Sequence, residues 1–139
     1  MLPDLVGYNL RRAQIAVFQN FRAATADFDI TPGQLGVLIL IDSNDGLSQS
    51  ELGDALGIDR STMVAVIDRL ERRDLVVRAP SPADRRSYAL KLSDTGSTLL
   101  RDILPAVLAH ERAMAGALSD QERADLIKLL AKLSNGEGA

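Results

Sequence analysis

The sequence predicts a mainly α-helical fold: a winged helix-turn-helix with a two-stranded β wing, flanked by N- and C-terminal helices. Three observations carry this prediction. A short helix from Gln49 is stopped by Gly57, and a second helix, Asp59 to Arg73, follows at once with one apolar side made of Met63, Val66, Ile67 and Leu70. Two short β-type runs, Leu75–Ala79 and Tyr88–Leu92, come next and flank a loop rich in proline and arginine. Apolar residues at helical spacing then recur near both termini. The chain is expected to form one unit over 1–139, with terminal helices at 4–28 and 94–135 around a winged helix-turn-helix at 31–92.

At 139 residues, 46% apolar and 25% charged, the chain can bury a core and has the composition of a globular protein. No apolar run approaches the roughly 20 residues that span a bilayer, so no membrane partner is expected. Met1 to Leu5 lacks the basic region and cleavage site of a signal peptide, and a cytoplasmic location is expected. With no cysteine, a disulfide framework, an iron–sulfur site and thiol redox sensing are excluded, and a single histidine, His110, argues against zinc. No nucleophile elbow, phosphate-binding glycine loop or paired carboxylates can be defended, so neither an enzyme nor a cofactor or metal is expected.

The net charge of −3 is unevenly distributed. Between Arg60 and Lys91 seven arginines and one lysine face four acids, a local +4, which leaves −7 on the remainder. An acidic body with a basic head can bind nucleic acid while limiting indiscriminate association.

In chain order, residues 4–26 form a long helix with two stripes. Val6, Leu10, Ala13, Val17, Phe21 and Ala24 share one side; Tyr8, Ile15 and Phe18 fall nearly opposite. A terminal helix covering its own domain needs one stripe, so two suggest a second subunit. Thr31, Pro32 and Gln34 make a capping box with proline at the first helical position, opening a helix whose Val37–Ile41 run is apolar all round and expected to be buried. Ser43 to Gly46 ends it in a turn. Ser48 and Glu51 form a second capping box. Gly53, inside that helix, costs ~1 kcal/mol relative to alanine, and a close crossing of the two helices is its expected reason. Asp59 caps the next helix. Tyr88–Leu92 alternates outward and inward. Ser93 caps a helix to about Leu118 with the stripe Leu99, Leu100, Ile103, Leu104, Val107 and Met114. Pro105 lies inside it, where a kink is expected. Ser119 and Glu122 open a last helix striped with Leu126, Ile127, Leu129, Leu130 and Leu133.

The second helix of the helix-turn-helix exposes Arg60, Ser61 and Thr62 in its first turn, with Ala65, Arg69 and Arg72 further along. A cation and short hydroxyls suit base edges and phosphates in a major groove, and the wing that follows favours that role for Ser61 and Thr62 over plain capping and solvation of the helix start. Arg69, Arg72 and Arg73 could reach phosphates or simply favour the negative end of the helix. At the loop tip Asp84 can hold the guanidinium of Arg86 by a charge-assisted bond, and either Arg85 or Arg86 would enter the minor groove.

This order of elements, with Asp84-Arg-Arg-Ser-Tyr-Ala-Leu-Lys-Leu-Ser93 fitting the wing pattern Asp-x-Arg-x-x-x-Leu-x-Leu-(Thr/Ser), resembles the MarR (multiple antibiotic resistance regulator) repressors over essentially the whole chain. Leu52, Leu56-Gly57, Asp59 to Thr62 and Asp68 to Glu71 fit that family's helix-turn-helix, while Asp74 stands where the family commonly has glycine. The resemblance implies a homodimer on a short palindromic operator in double-stranded DNA, with the terminal helices of 4–28 and 94–135 interleaving as a dimerisation region and a small, often aromatic effector between the two regions.

Within such a cleft the candidate ligand contacts are Arg11, Ile15, Phe18, Leu38 and His110. Arg11 lines the second stripe of the first helix and could pair with a carboxylate or phosphate, or lie along a subunit interface with its charge in solvent. His110 could equally be an interface histidine. Aromatic acids and acyl thioesters both suit an apolar cleft with one cation. A winged-helix module that binds protein and not DNA is the alternative.

Overall fold

The computed structural model describes residues 1–81 and 88–135. After a short 3-10 turn at Leu2–Asp4, α1 runs Val6–Ala24, α2 Pro32–Ser43, α3 Gln49–Leu56, α4 Arg60–Arg72, α5 Asp94–Met114 and α6 Asp120–Ser134. Strands β1 (Val76–Pro80) and β2 (Tyr88–Leu92) pair antiparallel, with Val76 opposite Leu92 and Pro80 opposite Tyr88. The architecture is the expected mainly helical winged helix-turn-helix.

The helix starts follow from local chemistry. Thr31, Ser48 and Ser119 each accept from the backbone N–H three residues on, and Gln34, Glu51 and Glu122 return a bond to the cap. Gly57 closes α3 at φ 65°, and α4 starts two residues later, capped by Asp59. Asp74 occupies the left-handed region at φ 58°. It therefore adopts the backbone that glycine favours and keeps the α4–β1 turn tight, with Ser93 Oγ donating to its carbonyl.

The core joins α2, α3, α4, the wing and the first half of α5 through Val37, Leu38, Leu52, Met63, Ile67, Leu70, Leu90 and Ile103, each essentially inaccessible. Gly96 makes this closure possible. A β-carbon there would run into the carbonyl of Leu75, so only glycine lets the start of α5 lie against the α4–β1 turn.

Several expectations are corrected. Ile39 is 37% exposed, so α2 is not buried on every side and keeps one apolar residue facing out. In β2 both Ala89 and Leu90 are buried. Beside this pair Leu90 N–H donates to the Leu47 carbonyl at 2.8 Å and Ala89 bridges Ser48, so the α2–α3 connection pairs along the outer edge of β2 where the alternation fails. The helix expected to reach Leu118 gives way at Met114 to a 3-10 turn, Ala115–Ala117. Gly53 is required less by a helix crossing than by the turn after α3: the Ile58 carbonyl would lie 3.1 Å from an added β-carbon.

The terminal helices are sparsely covered. On α1 the first stripe buries Phe21 and part of Val17, whereas Val6 and Leu10 stay exposed, as do Ile15 and Phe18 on the second stripe. α6 buries nothing, and Leu126, Ile127, Leu129, Leu130 and Leu133 are 38–58% exposed. No helix among the described residues is long and apolar enough to cross a membrane.

Candidate nucleic-acid interface

Burying Met63, Ile67 and Leu70 turns the opposite side of α4 to solvent, where Ser61, Thr62, Ala65, Arg69 and Arg72 are exposed, while Arg60 is exposed at the helix start above the buried stripe. The structure thus brings these predicted residues onto one helix. Val64, 39% exposed between them, was missed because an apolar residue in an apolar-striped helix is ordinarily assigned inward. Exposed beside Ala65, it can meet a thymine methyl. Gln49 and Ser50 were also missed; with Gly53, Asp54, Ile58 and Arg60 they line a cleft of about 300 Å³ between α3 and the start of α4. Their position in the first turn of the preceding helix was the available signal.

At the tip, Asp59 accepts three bonds: from Thr62 N–H at 2.8 Å, from the Ser61 hydroxyl at 2.9 Å and from the Thr62 hydroxyl at 3.0 Å. The Thr62 backbone donor and then the two hydroxyls hold its carboxyl below the ordinary 3.8. Capping and display of the hydroxyls are therefore one arrangement, not alternatives.

Behind the exposed side, other charges are committed to bracing. Arg78 of β1 donates to Glu71 at 2.7 Å and Asp68 at 3.2 Å, tying the wing to α4. Arg73 donates to the carbonyls of Asp29 and Phe28 at 2.6 and 2.9 Å, fastening the end of α4 to the α1–α2 connection. Arg73 is thereby spent on structure. Arg69 and Arg72 have no carboxylate within ion-pair distance among the described residues, since Asp68 and Glu71 serve Arg78. The wing-tip candidates Asp84, Arg85 and Arg86 lie outside the described residues.

The effector candidates are dispersed. Arg11 and Ile15 are exposed on α1; Leu38 has no exposure; His110 is buried, its Nδ1 2.6 Å from Asn20 Oδ1 and its ring edge-on to Phe21 at 5.5 Å. Phe18 lines a cleft of about 390 Å³ with Arg22, Thr25, Ala26, Asp29, Ile30 and Thr31. Arg22, whose guanidinium carbon lies 6.0 Å from the Phe18 ring centroid, is a cation that reasoning from stripes overlooked.

Comparison with known proteins agrees with this geometry. The family model described as MarR family matches residues 28–87. A protein of Thauera aromatica assigned to transcriptional regulation of the hcr operon is 44% identical over 129 residues, 92% of this chain and 78% of its own length. The chain belongs to the MarR family. The transcriptional repressor CouR bound to a 23-mer DNA duplex superposes with a TM-score of 0.89 at 41% identity, covering 96% of this chain and 94% of CouR. CouR bound to p-coumaroyl-CoA gives 0.88 at 39% identity, with the same coverage. BpsR of Bordetella bronchiseptica, whose DNA binding is regulated by 6-hydroxynicotinic acid, gives 0.88 at 30% identity and covers 94% of each chain. As a MarR-family member the protein is a transcriptional regulator and not an enzyme.

Proposed function

We propose that this MarR-family chain is a ligand-responsive, DNA-binding transcriptional repressor, a cytoplasmic homodimer released from a palindromic operator by a small aromatic acid or acyl-thioester effector. The observation that carries the proposal is the solvent-facing side of α4, polar and basic at its tip, in a chain 41% identical to a repressor seen on duplex DNA. Ser61, Thr62 and Ala65 are the proposed major-groove set, with Arg60 beside them at the helix tip for base edge or phosphate, Arg69 and Arg72 further along the helix, and Asp84, Arg85 and Arg86 at the wing tip.

Dimerisation supplies the second reading helix. The exposed apolar residues of α1 and α6 would be covered by a partner, which serves residues 4–28 and 94–135 as a dimerisation region. Two reading helices about 34–36 Å apart enter successive major grooves. An effector that binds more tightly to a different spacing shifts the population away from DNA, and about 2–3 kcal/mol of coupling gives tens-fold relief.

For the effector, Arg11, Ile15 and Phe18 on α1 are the accessible members of the proposed set, Arg11 offering a guanidinium to a carboxylate or phosphate. Leu38 and His110 are closed off in this conformation, so an effector touching them displaces core side chains. The test is fluorescence anisotropy on a duplex enriched from a randomised pool. Salt-resistant preference for that duplex over random sequence, relieved by p-coumaroyl-CoA or 6-hydroxynicotinic acid, is expected. Equal affinity for all duplexes would leave a protein-binding module as the better account.

A further inference from the structure

The clamp at the tip of α4 fixes more than the helix start. An ionised carboxylate only accepts hydrogen bonds, so in each contact with Asp59 the bonding proton belongs to the hydroxyl of Ser61 or Thr62. A hydroxyl has one proton. With that proton turned inward to Asp59, each exposed hydroxyl presents only lone pairs to whatever approaches α4.

We propose that Asp59 sets Ser61 and Thr62 as obligate acceptors facing the major groove, so that they select the amino bases adenine and cytosine over the keto bases guanine and thymine on the strand they face. The inference rests on duplex DNA being the partner and adds the polarity of its readout. In the major groove adenine offers the N6 amino group and cytosine the N4 amino group, whereas guanine O6 and thymine O4 are acceptors. An acceptor hydroxyl therefore gains a bond from the first pair and meets a second acceptor in the other.

The same polarity disfavours phosphates, which also only accept. For either hydroxyl to donate to a phosphate it must give up a charge-assisted bond to Asp59, beside a carboxylate that repels the phosphate. Phosphate contact at the tip falls instead to Arg60, exposed and without a carboxylate within ion-pair distance among the described residues. The depressed Asp59 carboxyl keeps the clamp ionised at neutral pH.

The experiment is selection of duplexes from a randomised pool by the full-length wild type and by Ser61→Ala, Thr62→Val and Asp59→Asn, each shown to be folded by circular dichroism. In the wild-type selection, symmetry-related positions should carry adenine or cytosine over guanine or thymine by about fivefold to tenfold. Ser61→Ala should lose that preference at one position and Thr62→Val at another. Asp59→Asn keeps a good helix cap but replaces the carboxylate with a single carbonyl acceptor. It should relax the amino preference without lowering affinity for random duplex.

A base analogue lacking the exocyclic amino group at the preferred position should weaken wild-type binding by about fivefold and leave the matching hydroxyl-deletion variant unaffected. The proposal is overturned if the hydroxyl deletions abolish a preference for guanine or thymine, or weaken binding uniformly with base preferences intact, as phosphate contacts would. A wild type that enriches no duplex at all would remove DNA binding itself, a result distinct from either.

Discussion

The winged helix-turn-helix and the terminal helices meet one requirement, covering apolar side chains, in opposite ways. Between Ile30 and Ile103 the chain closes a core on itself, and its helix ends are satisfied by their own neighbours. α6 has an equally good start, a full capping box, yet buries no residue. α1 shares Phe21 with the core and leaves its N-terminal half uncovered. A well-formed helix is thus no sign of a completed one. Local hydrogen bonds decide where a helix begins, and only packing decides whether its apolar side is covered.

The contrast can be broken most severely at Gly96. Gly96→Ala would drive a methyl group into the Leu75 carbonyl and should cost about 3 kcal/mol or more, as backbone-level overpacking does. Urea denaturation measures it, and a loss under about 1 kcal/mol would mean the α5 start is not held against the α4–β1 turn. On the terminal side, the pair Leu129→Ser with Leu133→Ser should weaken self-association about a hundredfold or more, given the burial value of a leucine counted on both subunits. Sedimentation velocity reads this, with circular dichroism showing the winged region intact. Unchanged association would move the interface off α6.

Asp59 gives a smaller effect with a defined sign. Its folded carboxyl lies below the ordinary 3.8, so its contribution is complete above that value and is lost as pH falls through the folded one. The stability advantage of wild type over Asp59→Asn should therefore be present at neutral pH and shrink below about pH 3.8, as thermal melts across pH would record. The smallest change is expected from Arg78→Ala. Its ion pairs to Asp68 and Glu71 are one-third or more exposed, which limits the loss to about 1 kcal/mol. A larger loss in denaturant would show that the wing depends on that brace for its position.

The fold was legible wherever the determining contacts are short in sequence. Thr31 with Gln34, Ser48 with Glu51 and Ser119 with Glu122 act across three residues, and Gly57 acts on its own backbone. The uneven placing of charge along the chain exposed the basic head around α4. What escaped were contacts that join distant segments: Arg73 on the Phe28 and Asp29 carbonyls, Arg78 between Asp68 and Glu71, and Leu47–Ser48 against β2. These separate arginines that brace the fold from Arg60, Arg69 and Arg72, which have no such partner among the described residues, and no pattern along the chain makes that distinction.

By itself the sequence determined the order of elements, the start of every helix after the first, the stop at Gly57, and a positive head on an acidic body. Each depends on groups within a helical turn of one another or on charge alone. Only the tertiary structure decided which apolar stripes are covered, why Ala89 and Leu90 are both buried, and which arginines are occupied. Burial and long-range pairing depend on where a second segment sits in space, and that is settled when the segments pack.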